Sequence, residues 1–220
     1  MNKISYLIVL IVLSVGIHNG HAQLQMLRDQ GTGAPITANP YAGVNGTPYI
    51  GEFGLGSIIF NEKDTANNIQ IAFNGYANSL EVKVDGKLFA YTPQKILGFI
   101  ISPDGRPELY RSGFVLPGLG ENRFVQVLED GNYTLLKHKY KILGSDPSAT
   151  YGTQSAKSFN SVEDIIVAKD GIVKTWKTKS KNLEDIFGTD YPKVSTMIKQ
   201  NGLNIRDERD VIILFRLLNN

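Results

Sequence analysis

Histidine narrows the chemistry most. The chain has 220 residues and three histidines, His18, His21 and His138. The first two stand in the expected signal peptide described below, so His138 is the one left for the folded part. A Ser-His-Asp hydrolase could use a single histidine. His138, however, sits in L-L-K-H-K-Y-K-I-L, a strand pattern, and no G-x-S-x-G nucleophile elbow accompanies it. It reads as a partly buried or edge-strand histidine. A multi-histidine metal site is ruled out. There is no cysteine, which excludes disulfides, zinc–thiolate sites and thiol nucleophiles. Acidic groups occur at Glu62/Asp64, at Asp146 and at Asp207/Glu208/Asp210. None has the spacing of an EF-hand loop. The last group falls where a helix should begin, so its acids suit capping and the helix dipole. Gly51-x-x-Gly54-x-Gly56 leads into a strand and not a helix, so it reads as bulges or a positive-φ turn and not as a phosphate cradle. No catalytic, cofactor-binding or metal-ligating residue is expected, and no cofactor.

Two basic strips are candidates for binding. Lys137, Lys139 and Lys141 alternate and share one face of a strand. Lys174, Lys177, Lys179 and Lys181 surround Trp176. Such lysines could meet an anionic glycan or lipid headgroup while Trp176 or a tyrosine stacks on a sugar. The competing reading is a solvated strand face with edge-protecting lysines. The candidate binding surface is Trp176, Lys174, Lys177, Tyr110 and Tyr133. Near-neutral balance, net +2, gives no pull towards nucleic acid. Asn45-Gly46-Thr47 and Asn132-Tyr133-Thr134 match glycosylation sequons.

These residues need strands to position them. In Ser79–Thr92, Asp85-Gly86 is a two-residue turn signal between alternating residues. It predicts Val84 opposite Lys87, Val82 opposite Phe89 and Leu80 opposite Tyr91. One face then carries Leu80, Val82, Val84, Phe89 and Tyr91, and the other Glu81, Lys83 and Leu88, as in a sheet with one buried face. Further strands are expected at Ser57–Asn61 and Asn68–Asn74, with Glu62–Asn67 as a loop. Lys95–Ser102 and Glu108–Leu116 should flank Pro103-Asp104-Gly105. Arg123–Glu129 and Asn132–Leu143 should flank a tight Asp130-Gly131 turn. A last hairpin, Glu163–Ala168 with Ile172–Lys177, turns at Asp170-Gly171. Helical signals follow. Asn182 should cap Leu183–Phe187, with Gly188 as the stop. Pro192 suits the first turn of a helix with Tyr191, Val194, Met197 and Ile198 on one stripe. Asn204 or Asp207 should start a well-buried final helix.

The expected organisation is a signal peptide at 1–22, a flexible leader at 23–48, an antiparallel β region at 49–143, a linker at 144–158, and a hairpin plus helical region at 159–220. Lys3, the apolar run Tyr6–Val15 and Gly20-His21-Ala22 before Gln23 make the signal. No other apolar run is long enough to span a bilayer. The fold class predicted is α+β, an antiparallel sandwich, barrel or meander followed by a hairpin and three short C-terminal helices.

V-E-D-I-I-V-A-K-D-G-I-V-K-T-W-K, Y-P-K-V-S-T-M-I-K-Q-N-G-L-N-I-R-D-E-R-D-V-I-I-L-F-R-L-L-N and G-T-P-Y-I-G-E-F resemble segments of an uncharacterised family of small secreted proteins of Gram-negative bacteria. The likeness is best in the C-terminal third. It implies export from a Gram-negative cell, to the periplasm or the outer surface, and carries no activity. The function expected is a non-enzymatic binding or protein-interaction module of the cell envelope, whose partner is an envelope protein or an anionic glycan. A carboxylate-dependent glycan hydrolase and a structural envelope component are the alternatives.

Overall fold

The computed structural model describes residues 25–26, 41–119, 122–145 and 157–220. The expected signal peptide, most of the expected leader and the middle of the expected linker lie outside these residues. Twelve strands form one sheet. They are β1 (Gln25–Met26), β2 (Val44–Asn45), β3 (Tyr49–Asn61), β4 (Asp64–Asn74), β5 (Ser79–Val84), β6 (Lys87–Tyr91), β7 (Gly98–Ile101), β8 (Glu108–Val115), β9 (Asn122–Glu129), β10 (Thr134–Ser145), β11 (Lys157–Lys169) and β12 (Ile172–Thr175). Eleven lie in the order β1-β6-β5-β4-β3-β7-β8-β9-β10-β11-β12, and β2 pairs with β11 from outside that path. The β2–β11 pair is parallel, so the sheet is mixed.

This corrects the expected fold class. The C-terminal hairpin does not follow a separate β region. Its first strand, β11, pairs with β10 without a break from Thr134↔Ala168 to Ser145↔Lys157. Gly144, Ser145, Lys157 and Ser158 belong to that ladder although their composition reads as linker. The ladder is made by backbone groups, which weak strand propensity does not remove. Nor are there three separate helices. Helix α1 (Ser180–Phe187) runs through a 3-10 turn (Gly188–Asp190) directly into α2 (Tyr191–Gln200). The helical part is therefore two arms, the bent one over 180–200 and α3 (Glu208–Asn219). Gly188, at φ +52°, ends α1 without an intervening loop, and Pro192 fits the first turn of α2. Asn182 does not cap α1. Its side chain accepts from the Lys177 N–H at 2.6 Å and donates to the Thr175 carbonyl at 3.3 Å, which ties the helix to the end of β12.

The Asp-Gly turns divide by what packs on them. Asp85-Gly86 and Asp170-Gly171 are two-residue loops with positive φ at both positions, and the first gives the predicted register of Leu80↔Tyr91, Val82↔Phe89 and Val84↔Lys87. Around Asp130-Gly131 the connection widens to 130–133. There Asn219 of α3 donates to the Tyr133 carbonyl at 2.9 Å and accepts from the Tyr133 N–H at 3.0 Å. The stretch Glu62–Asn67 is not a loop, because β4 begins at Asp64. The glycines of β3 coincide with shifts of register against β4, as a bulge reading requires.

One core lies over β3 to β9, with the rings of Phe73 and Phe99 in contact with each other and each with Tyr110 and Phe124. A second joins the helices to β10 and β11 through Leu135, Val167, Phe187, Val194, Leu214 and Phe215. A third, with Val125, Leu136 and Ile166, occupies the opposite face.

Candidate functional site

The five sequence candidates are not brought to one surface. Tyr110 is fully buried. Its ring stacks on Phe99 at 4.8 Å, and its hydroxyl donates to Glu108 at 2.9 Å. Burial, then the Glu108 carboxylate, raises its pKa. It is a core residue.

Tyr133 and Trp176 meet in the helical core. Trp176 lies edge-on to Phe187 and Phe215, and its indole N–H donates to the Ile205 carbonyl at 3.3 Å. Tyr133 is buried, and its hydroxyl sits between two charges. It donates to Asp190 at 2.7 Å and accepts from Lys169 at 2.8 Å. Lys169 also reaches Asp190 at 3.1 Å and lies over the Tyr133 ring at 4.1 Å. The hydroxyl hydrogen bonds hold the Asp190 carboxyl below its usual range, the Tyr133 contribution being the larger, and raise Lys169. The triad ties the α1–α2 junction to the sheet. Sequence reasoning missed Lys169 and Asp190. The parity of the Asp170-Gly171 hairpin puts Lys169 on the face of Val167, but nothing in the sequence places Asp190 there.

Beside the triad, a shallow cavity of about 100 Å³ is lined by Val167, Lys169, Asp170, Ile172, Lys174 and Ile186. Ile172 is 62% exposed. Lys174 donates its ammonium to the Asp185 carbonyl, a neutral group. Lys177, Lys179 and Lys181 are exposed. Among the described residues, no carboxylate forms an ion pair with any of these four lysines. Lys174 lines the cavity together with Lys169 and Asp170, and the exposed Lys177, Lys179 and Lys181 follow it along the chain into α1, while Trp176 packs in the core behind them.

The other basic strip behaves oppositely. Lys137, Lys139 and Lys141 do share a face of β10, but Lys137 is only 8% exposed. It pairs with Glu208 at the start of α3 and with Glu163 at 3.5 Å. Lys139 pairs with Glu108 at 2.8 Å. Lys141 donates to Ser161 at 2.8 Å. The two more buried lysines of this strip are matched by acids from neighbouring elements, and the face is neither solvated nor free.

The acids and the histidine have structural places. Asp207 accepts from the Arg209 N–H at 2.8 Å and so caps α3, and Asp210 accepts from the Asn204 N–H. Among the described residues, no group of three or more metal-ligating side chains converges. Glu81, on the face left for polar residues, is only 3% exposed. It accepts from the Tyr49 hydroxyl at 2.6 Å and from Asn74 at 2.7 Å. The segment after Tyr41 and the ring cluster Tyr41, Tyr76 and Phe159 lie on that side.

His138 is buried in β10 opposite Asp164, with its ring stacked on Tyr140 at 4.5 Å. Burial first, then Arg123 on β9, pushes its pKa down to about 4, against a smaller opposing pull from Asp164. An unfolded histidine titrates near 6.5. Between the two values the unfolded chain binds more protons. The stability that His138 contributes is thus complete above about pH 6.5 and is lost as pH falls towards 4, by roughly 3 kcal/mol at most. Urea midpoints measured from pH 7 down to 4.5 should fall more steeply for the wild type than for His138→Gln. Parallel curves would show that the imidazole takes up its proton in the fold as readily as in the unfolded chain.

No helix of the described residues is long and apolar enough to cross a membrane. No family model, curated protein or solved structure matches the chain.

Proposed function

We propose that the chain is an exported, non-enzymatic binding module of the cell envelope, whose β12–α1 edge takes an anionic ligand. The observation that carries this is the contrast between the two lysine strips. The lysines of β10 are held by Glu108, Glu163, Glu208 and Ser161, while Lys174, Lys177, Lys179 and Lys181 have no acid partner among the described residues. Exposed ammonium groups that follow Lys174, which lines a cavity with Val167, Ile172 and Ile186, favour a ligand that brings both negative charge and some apolar surface. The apolar run Tyr6–Val15 and the small residues before Gln23 support export. The burial of His138 in β10 supports the non-enzymatic reading.

The test is glycan-array binding and in-cell crosslinking of the tagged chain in a Gram-negative host. Wild type is compared with a variant carrying Lys174, Lys177, Lys179 and Lys181 all changed to Gln. Capture of an acidic glycan or envelope protein should fall at least tenfold in the variant and weaken with added salt. Capture that is indifferent to the four substitutions, or a hydrolytic turnover on the captured glycan, would overturn the reading.

A further inference from the structure

The cavity between the β11–β12 hairpin and α1 is lined by both signs of charge. Val167 pairs with Lys174 across the hairpin, and Lys169 with Ile172. Directly opposed residues point to one face, and so do residues two apart along a strand. These four side chains therefore stand together on the face that α1 covers. Ile186 of α1 and Asp170 at the turn complete the lining.

Each charge can be followed to its partner. The Lys169 ammonium donates to the Tyr133 hydroxyl at 2.8 Å and to Asp190 at 3.1 Å. Asp190 is matched in turn, since Tyr133 also donates to it and Lys193 adds a smaller attraction. Lys169 and Asp190 thus answer each other. Lys174 spends one donor on the Asp185 carbonyl, a neutral acceptor near the end of α1. An ammonium has three donors, so two remain. Asp170 is exposed, and among the described residues its carboxylate joins no ion pair. The turn does not account for that charge. Asp170 has φ +50°, and asparagine serves that position of a two-residue loop equally well.

The complement of this lining is a small zwitterion. We infer that the cavity binds a free α-amino acid with a short aliphatic side chain. Its carboxylate takes the spare Lys174 donors and its ammonium faces Asp170. Its side chain packs on Val167, Ile172 and Ile186, and covers part of Ile172, which is 62% exposed without a ligand. A plain anion would bring nothing to Asp170, and a plain cation nothing to Lys174, so each would leave one charge of the lining unanswered. Size selects a small molecule. The cavity holds about 100 Å³, well below the roughly 300 Å³ at which pockets for drug-sized ligands begin. The inference rests on the proposed function only in taking Lys174 as open to an anionic group. It adds the ammonium, the side chain and Asp170.

Equilibrium dialysis of the full chain against radiolabelled L-valine tests it. The competitors are N-acetyl-L-valine, which lacks the ammonium, and L-valinamide, which lacks the carboxylate. Valine should bind saturably, and each derivative should compete at least tenfold less well than unlabelled valine. Asp170→Asn keeps the turn and should weaken valine at least tenfold while leaving N-acetyl-L-valine as it was. Lys174→Gln should also weaken valine at least tenfold while leaving L-valinamide as it was. Unchanged urea midpoints separate lost binding from lost folding in both variants. Derivatives that compete as well as valine would overturn the proposal. So would an Asp170→Asn chain that binds valine unchanged, or no saturable binding at millimolar valine. Asp170→Asn retains all four lysines, so its capture of an acidic glycan or envelope protein should match wild type. Valine binding without such capture would overturn the reading of the lysine edge and leave this one standing, and capture without valine binding would do the reverse.

Discussion

Gly98→Ala should cost about 3 kcal/mol or more of folding free energy, among the largest effects of any single methyl group in this chain. Gly98 opens β7, where the strand lies between β3 and β8 and faces Arg111. A Cβ there would sit well inside van der Waals contact of the Tyr110 carbonyl oxygen and press on the Arg111 Cα. These are backbone atoms of a buried ladder, so they cannot swing aside as the end of a side chain can. The strain would fall on the row that holds Tyr110 against Phe99. Gly54→Ala is the control. Gly54 has open space around its Cβ position and no positive φ, so its alanine variant should stay within about 0.5 kcal/mol of wild type. Urea midpoints of the two variants decide the matter. Similar midpoints would mean that β7 and β8 are not as closely opposed as described.

Phe215→Ala should be comparably severe, at about 3–5 kcal/mol. Phe215 is fully buried in α3 and touches rings from three other elements. These are Tyr133 just before β10, Trp176 after β12, and Phe187 at the end of α1. Removing the ring leaves a cavity at the point where both helical arms meet the sheet. Trp176 is the sole tryptophan, so its fluorescence reports this junction, while circular dichroism reports the strands. Since β11 belongs to the same ladder as β10, both signals should shift to one lower midpoint. A fluorescence transition that moves alone, with the strand signal unchanged, would show that the helical arms unfold independently of the sheet.

Both variants act where sequence reasoning was incomplete. Local signals with a mechanism were legible. Asp85-Gly86 fixed its own hairpin, because a two-residue loop with positive φ at both positions leaves one register. Asp170-Gly171 did the same. The apolar stripe of α2 and the Asp207 cap of α3 follow from helical spacing and from the donors exposed at a helix start. The binding candidates were less legible. Lys174 and Lys177 lie on an edge, but Tyr110 and Tyr133 were chosen by residue type, and type does not say that Phe99 stacks on one or that Lys169 and Asp190 hold the other.

The sequence by itself determined the residue inventory, and with it the absence of thiol chemistry and of multi-histidine metal sites. It also set the strand-rich first part and the helical end, since alternation, helical spacing and turn chemistry act over a few residues. Only the tertiary structure decided that β11 joins β10 across the Ser/Thr/Gly-rich stretch, that Lys137 and Lys139 are spent on Glu208 and Glu108, and that Glu81 is sealed under Tyr49. Each of these depends on partners far apart in the chain. Their pairing is set by which backbone ladders and buried faces come to lie side by side, and no local pattern records it.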